Sequence, residues 1–358
     1  MIFSYYLKKI PYTLLWQLTD LFKNHRSIAI YCADLIDWYI LKFIKENNDD
    51  VKVVSKNHRI RKQLREIGIE ATNGWVFPQV VIMTRHAFHI FPCRKIIKIG
   101  LRHGPYHFKS MIDAKKYNLF DLYLFTSEYE LQQAEKLGIK CGAAGGYPKL
   151  DPALDGSLKQ DKINLLRKKL NFDARPILIF SATWEGSGLS AVERWYNQIE
   201  KLTQNYNILV TLHPWVKRKY RKRIDETKGV ILLEEEDILP YLVLADLMVG
   251  DTSSILAEFS ALKKAIITFR IKPQKRLDQE VFDLICQISL QIDDFKQLPD
   301  AIEYLLKNQK QLQIAQEESN RRFFLPFDGD HRGNCLKLIK GYLKSRSIAW
   351  RNWQADQK

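Results

Sequence analysis

The chain has 358 residues, length for about two domains, and 46% of it is hydrophobic and 12% aromatic. That composition supports real cores and excludes wholesale disorder, while 16 glycines and 12 prolines exclude collagen-like and low-complexity classes. Fifty-six Lys+Arg against 41 Asp+Glu give a net charge of +15, which points to anionic partners: nucleic acid, phospholipid headgroups or phosphorylated substrates.

The first 22 residues carry Tyr5, Tyr6, Leu14, Leu15, Trp16 and Leu18, with Lys8, Lys9 and Lys23 close by. They lack the pattern of a secretory signal, because the lysines follow the first apolar residues and no small-residue cleavage site closes an apolar core. Two readings stay open: a first helix packed on its domain, and an amphipathic helix lying at an anionic membrane surface. No run of 18 uncharged apolar residues occurs, so no transmembrane helix is expected. The five cysteines (Cys32, Cys93, Cys141, Cys286, Cys335) form no close pair, which argues against a disulfide framework or a Cys-x-x-Cys zinc site and for a reducing compartment.

Apolar strands are predicted over 27–33, 51–55, 78–85, 95–100 and 121–127, with helical patterns between them, the last a helix closed by Gly138. A Pro/Gly/Ser-containing connection near 150–160 precedes a second series at 176–182, 206–214, 229–235, 246–251 and 264–269, with helices predicted over ERWYNQIEKLTQ and SSILAEFSALK. Continuous apolar strands alternating with amphipathic helices indicate parallel sheets covered on both faces. The fold class is therefore α/β: two Rossmann-like, doubly wound domains with C-terminal helices. The expected boundaries are 1–155, 156–335 and 336–358.

Ligands of such sheets sit beyond the carboxyl ends of the strands. After the strand 95–100 come His103, Gly104, Pro105, His107 and Lys109. A histidine held in a Gly-Pro turn at a strand end is a candidate base, since a neutral imidazole accepts a proton from an attacking hydroxyl. A lone histidine is otherwise an ordinary structural residue. His213-Pro214 ends the strand 206–212, with the alternative that it only caps carbonyls. Asp251, Thr252, Ser253 and Ser254 open a helix, where hydroxyls and first-turn N–H groups favour an anion, and simple capping is the competing reading. Glu258, one turn on, suits a ribose or other hydroxyls. The ATWEGSGLS turn lacks the third glycine of a dinucleotide fingerprint, and no P-loop, Gly-x-Ser-x-Gly elbow or HExxH is present. No motif implies a cofactor or a metal. Six cations between Lys217 and Arg223, and others at Lys337, Lys340, Lys344, Arg346 and Arg351, read either as solvated faces or as anion-binding surfaces.

These residues form an ordered set: His103-Gly104, Gly146-Tyr147-Pro148-Lys149-Leu150-Asp151, Ala182-Thr183-Trp184, His213-Pro214, Ala245-Asp246 through Asp251-Thr252-Ser253-Ser254, and Phe327-Asp328-Gly329 with Arg332. The set resembles the CDP-glycerol glycerophosphotransferase family from about residue 95 to 335. It departs from that pattern at Arg102, where the family has tryptophan, at 105–109, at Glu185 and at Thr252. The resemblance implies a GT-B fold, an acceptor-side domain followed by a nucleotide-donor domain, and transfer of a glycerol-phosphate or related polyol-phosphate unit from a CDP-linked alcohol donor, releasing CMP. The acceptor would be a lipid-linked or glycan hydroxyl in cell-surface polymer synthesis. In that scheme His103 is the general base. His213, Ser253 and Ser254 hold the donor pyrophosphate, Thr252 and Glu258 line the donor site, Arg332 contacts phosphate or ribose, and Lys109 steers an anionic acceptor. The protein would be cytoplasmic, attached peripherally to the inner face of the cell membrane through its anionic surface. A nucleotide-sugar glycosyltransferase or epimerase of the same fold remains an alternative. A nucleic-acid-binding protein is a second one, opposed by the lack of any nucleic-acid-binding motif and of aromatics interleaved with the basic run.

Overall fold

The computed structural model describes residues 2–22, 27–105, 113–234, 237–272, 279–325, 330–346 and 348. His107, Lys109, Phe327-Asp328-Gly329 and Arg351 lie outside them, as do the side chains of Tyr5, Tyr6 and Lys8. Two compact units result, one from residues 2–103, 113–149 and 325–348, the other from 104–105 and 150–324.

The first unit is built on a parallel sheet of β1 (Ile28–Cys32), β2 (Lys52–Ser55), β3 (Val80–Met83), β4 (Ile97–Leu101), β5 (Leu122–Phe125) and β6 (Gly142–Ala144), in the order β2-β1-β3-β4-β5-β6. β1 and β3 are buried at every position, as strands covered on both faces must be. Alternate residues feed two cores. Ile30, Val53, Ile82 and Ile99 meet the helix Leu35–Glu46 and the C-terminal helix His331–Ser345 on one face. Ala29, Tyr31, Val81 and Met83 meet Tyr12 and Trp16 of the N-terminal helix Ile2–Phe22 on the other.

The second unit repeats the plan with β7 (Ile177–Ala182), β8 (Asn207–Leu212), β9 (Val230–Leu232), β10 (Leu247–Gly250), β11 (Ala265–Phe269) and β12 (Leu290–Ile292), all parallel, in the order β12-β11-β10-β7-β8-β9. Every strand predicted from sequence is present. β6 and β12 escape prediction because each is a three-residue edge strand, too short for periodicity to register. The segment ERWYNQIEKLTQ is not one helix. It is a helical turn, Val192–Trp195, and a 3-10 turn, Ile199–Leu202, which keep Trp195, Ile199 and Leu202 buried.

The C-terminal segment returns to the first unit rather than standing apart. Leu325 donates its N–H to Thr126 O at 3.0 Å, and Asn334 donates to the carbonyls of Ala144 and Gly145, each at 3.1 Å. Gly146 adopts φ +88°, and a Cβ there would lie 2.7 Å from the His331 ring, so the Gly-Gly turn after β6 is what lets this helix close down. Arg332, expected within the second domain, belongs to the first unit for this reason. The N-terminal helix is anchored by the polar tips of two buried aromatics: the Tyr12 hydroxyl donates to Val76 O, and Trp16 Nε1 to Pro78 O at 2.6 Å. Trp16 is thus a packing residue, while Leu14, Leu15 and Leu18 remain exposed.

Candidate active site

Strand order reverses between β7 and β10 in the second sheet and between β1 and β3 in the first, and ligands of doubly wound sheets bind at such points. At the second sheet's reversal β10 runs into Asp251, which is buried. Its carboxylate accepts four backbone N–H groups: Thr183 and Ala191 at 3.1 Å, Thr252 at 2.6 Å and Ser253 at 3.1 Å. Burial pushes its pKa up to about 6, against the pull of those four donors. Asp251 therefore ties the loop after β7 to the loop after β10. Thr252 is buried too, and its hydroxyl donates to Leu189 O at 3.1 Å. The side chains of these two residues are thus engaged in holding the loop.

Ser253 and Ser254 differ from them. Ser253 is half-buried, Ser254 exposed, and Ser254 makes no capping bond to the helix Ile255–Ala261 that it precedes. Among the described residues no hydrogen bond engages either hydroxyl. The competing reading of this stretch, helix capping, finds no cap bond at Ser254, and the Asp251 carboxylate holds N–H groups that precede the helix. Asp251 also occupies the N–H groups of Thr252 and Ser253, so the donors left to an anion are the two serine hydroxyls and the N–H groups of Ser254 and Ile255. Glu258 is buried on the same short helix.

His213 stands at the end of β8, its N–H on Ala182 O at 3.1 Å, so it shares an edge with Thr183. Its Nδ1 accepts the Trp215 N–H at 3.2 Å. With Nδ1 used as an acceptor, a neutral ring carries its proton on Nε2, where it is a donor. The His213 and Trp215 rings meet edge-on at 5.3 Å, and Trp215 meets Trp184 at 5.4 Å. Trp184 lies over Gly186, where a Cβ would clash with the indole at 2.2 Å. Glu185 forms an ion pair with Lys217 at 3.5 Å.

In the first unit β4 leads into Arg102 and His103. Arg102 is buried and donates through Nε to Glu130 Oε1 at 2.6 Å, with Nη2 on the same oxygen, and through Nη1 to the Tyr117 hydroxyl at 2.7 Å. Glu130 Oε2 accepts the Thr126 N–H and hydroxyl, both at 3.0 Å. This network fixes the chain one residue before His103. The imidazole of His103 hydrogen-bonds to the Thr84 main chain. The protein packed around it and the Arg85 and Arg102 charges push its pKa down to about 4, although the residue keeps a solvent-exposed surface. At neutral pH the ring is therefore uncharged and able to accept a proton. Thr84 and Arg85 close β3, and both contact Asp37 of the helix after β1. Sequence reasoning passed over this group. Its signal was the strand-end rule itself, applied to β3 as it was to β4.

Ser253, Ser254, Glu258 and His213 thus belong to the second unit, and His103 and Arg332 to the first. Lys109 falls outside the described residues. Among the described residues no cluster of three or more His, Cys, Asp or Glu is arranged to hold a metal ion.

Residues 98–340 match the family described as CDP-glycerol:poly(glycerophosphate) glycerophosphotransferase. The teichoic acid ribitol-phosphate polymerase TarL of Staphylococcus aureus is 24% identical over 209 residues, which are 53% of this chain and 35% of TarL, so the chain spans about a third of that relative's length. A wall teichoic acid polymerase TagF variant soaked with CDPG superposes with a TM-score of 0.71 at 14% identity, covering 97% of this chain and 98% of its own. The S. aureus MnaA–UDP co-structure gives a TM-score of 0.62 at 13% identity, with coverages of 89% and 97%. These structural likenesses establish the fold, which is GT-B.

Proposed function

Because the chain belongs to the CDP-glycerol:poly(glycerophosphate) glycerophosphotransferase family, we propose that it transfers a glycerol-phosphate or related polyol-phosphate unit from a CDP-linked donor to an acceptor hydroxyl, releasing CMP. Two observations, each within its own unit, support this reading: a neutral strand-end imidazole, His103, in the first, and in the second two serine hydroxyls at the sheet's reversal that no hydrogen bond engages among the described residues. Teichoic-acid-type polymer synthesis is the context, and the hydroxyl belongs to a lipid-linked or glycan acceptor.

The first unit takes the acceptor and the second the donor. His103 accepts the proton as the acceptor oxygen attacks the distal phosphorus, and the P–O bond to CMP breaks in line with the attack. Ser253, Ser254 and the Nε2–H of His213 donate to the pyrophosphate and stabilise the charge that grows on CMP. Glu258 accepts from the ribose, Arg332 contacts phosphate, and Lys109 steers the acceptor.

The protein also binds anionic membranes peripherally. Ile10, Leu14, Leu18 and Leu21 form one exposed stripe on the N-terminal helix, opposite Tyr12 and Trp16. Trp215, 69% exposed, stands beside the cations of 217–223. No helix among the described residues is long and apolar enough to cross a membrane.

The test is product analysis on a membrane fraction with CDP-glycerol, CDP-ribitol and a UDP-sugar. CMP release with a polyol-phosphate product is expected. UDP release or sugar epimerisation, with no CMP, would replace this reading with the nucleotide-sugar one.

A further inference from the structure

The carboxyl edge of the first sheet holds a second charged group at its reversal, between β1 and β3. Asp37 lies in the first turn of the helix Leu35–Glu46 and is fully buried. Its carboxylate accepts the N–H of Ala33 at 2.8 Å and of Asp34 at 3.0 Å, the Thr84 hydroxyl at 2.5 Å, and the Arg85 Nε–H at 3.1 and 3.2 Å. In a Rossmann-like half this helix start is where a ligand phosphate would sit. Here the protein's own carboxylate takes the N–H groups of Ala33 and Asp34 at that start, and its negative charge holds a cation.

That cation is Arg85. Its Nε is committed to Asp37, which fixes the stem, yet its side chain is 39% exposed against 0% for Asp37. Among the described residues no hydrogen bond engages either Nη group. Four N–H donors remain in a rigid fork of the kind that matches two oxygens of a phosphate. Asp37 also completes the capping box of its helix with Asp34, which accounts for the carboxylate but not for the outward-facing end of Arg85. The fork is also placed beside the base: Arg85 follows Thr84, whose main chain hydrogen-bonds the His103 ring.

We propose that Arg85, clamped by Asp37, is an anion subsite of the acceptor, binding a phosphate monoester or diester group next to the hydroxyl that His103 deprotonates. The naming of the acceptor rests on the proposed function; the anion subsite does not. One consequence concerns basicity. Among the described residues Arg85, Arg102 and His86 carry charge toward His103, and all three disfavour its protonation. A phosphate on Arg85 cancels the largest of these charges. An imidazole that is neutral but weakly basic in the free protein then becomes a stronger base when the acceptor is in place, nearer the value that suits proton transfer at neutral pH.

The experiment uses the full chain with isotopically labelled histidine, titrated with glycerol 3-phosphate and, as the uncharged control, glycerol. Glycerol 3-phosphate is expected to move the His103 resonances saturably and to raise their titration midpoint; glycerol is not. Arg85→Gln should weaken the response roughly ten- to a hundredfold, and Arg85→Lys less, since it keeps the charge and loses the fork. Unchanged CDP-glycerol affinity in the same variants shows that the fold and donor site are intact. Three results overturn the subsite: silent His103 resonances, a response indifferent to Arg85→Gln, or a response confined to His213. CMP release by the wild type is scored separately. A protein that binds glycerol 3-phosphate through Arg85 but releases no CMP keeps the subsite and loses the proposed function.

Discussion

His103 and His213 both end a strand, yet their surroundings prepare them for opposite tasks. The protein packed around His103, with two neighbouring arginines, keeps it unprotonated, whereas the Trp215 N–H directs the proton of a neutral His213 to Nε2. His103→Ala should lower kcat by about 10²–10⁴-fold while calorimetry finds CDP-glycerol affinity unchanged. The pH profile carries the sign. A histidine with a depressed pKa stays an active base as pH falls past 6.5 and fails only near 4. The acid limb of kcat/KM, which reports the free enzyme, should therefore lie below pH 5 and move upward in Arg85→Gln. An inflection at 6.5 in the wild type would contradict the electrostatics described for His103. His213→Ala should weaken donor binding and slow turnover together, because it touches charge present in the ground state and growing in the transition state. A loss seen only in acceptor affinity would exchange the roles given to the two units.

Loops acquire function here by being immobilised from beneath. Asp251 draws four N–H groups from two loops onto one carboxylate, and Thr252 adds Leu189, so Ser253 and Ser254 stand on a fixed base. Replacing both serines by alanine should weaken CDP-glycerol binding, at about 1.5–3 kcal/mol for each hydrogen bond to a charged phosphate, with little change in the unfolding midpoint. A stability loss without an affinity loss would identify the serines as scaffold. Under the first site the Arg102–Glu130 pair does equivalent work between β4 and β5. Arg102→Met strands a buried carboxylate and should cost roughly 3–5 kcal/mol by denaturant titration, and adding Glu130→Met should recover part of that loss. Simple additivity of the two substitutions would show that the pair is not coupled.

At the scale of the whole molecule the net charge of +15 and the exposed leucines belong to one expectation. Cations near an anionic surface contribute about 1 kcal/mol each and are screened by salt, whereas buried leucines are not. The protein should sediment with phosphatidylserine vesicles at low salt and only partly at high salt. Leu14→Ser with Leu18→Ser should remove the salt-resistant part, roughly 1.5–3 kcal/mol for each leucine the bilayer buries. Equal binding to neutral vesicles would deny the electrostatic component. Trp16, apolar and aromatic like an interfacial anchor, has no part in this, because it is held under Pro78.

What the sequence by itself determined is what local patterning controls. Apolar runs between amphipathic segments located β1–β5 and β7–β11, and turn residues after those strands marked His103, His213 and the 251–254 loop, because strand burial and strand-end chemistry are written within a few residues. The ordered motifs pointed to the family that residues 98–340 match. Tertiary structure alone decided which polar groups are spent and which are open. Asp251 and Thr252 read like Ser253 and Ser254 in a string of small polar residues, and only partners 60 or more positions away separate staple from open hydroxyl. The same holds for Asp37, whose tie to Thr84 and Arg85 bridges 47 and 48 positions, and for Arg332, which the Gly145–Gly146 turn draws into the first unit. Hydrogen-bond satisfaction in a buried site is a property of the packed neighbours, and no window along the chain contains them.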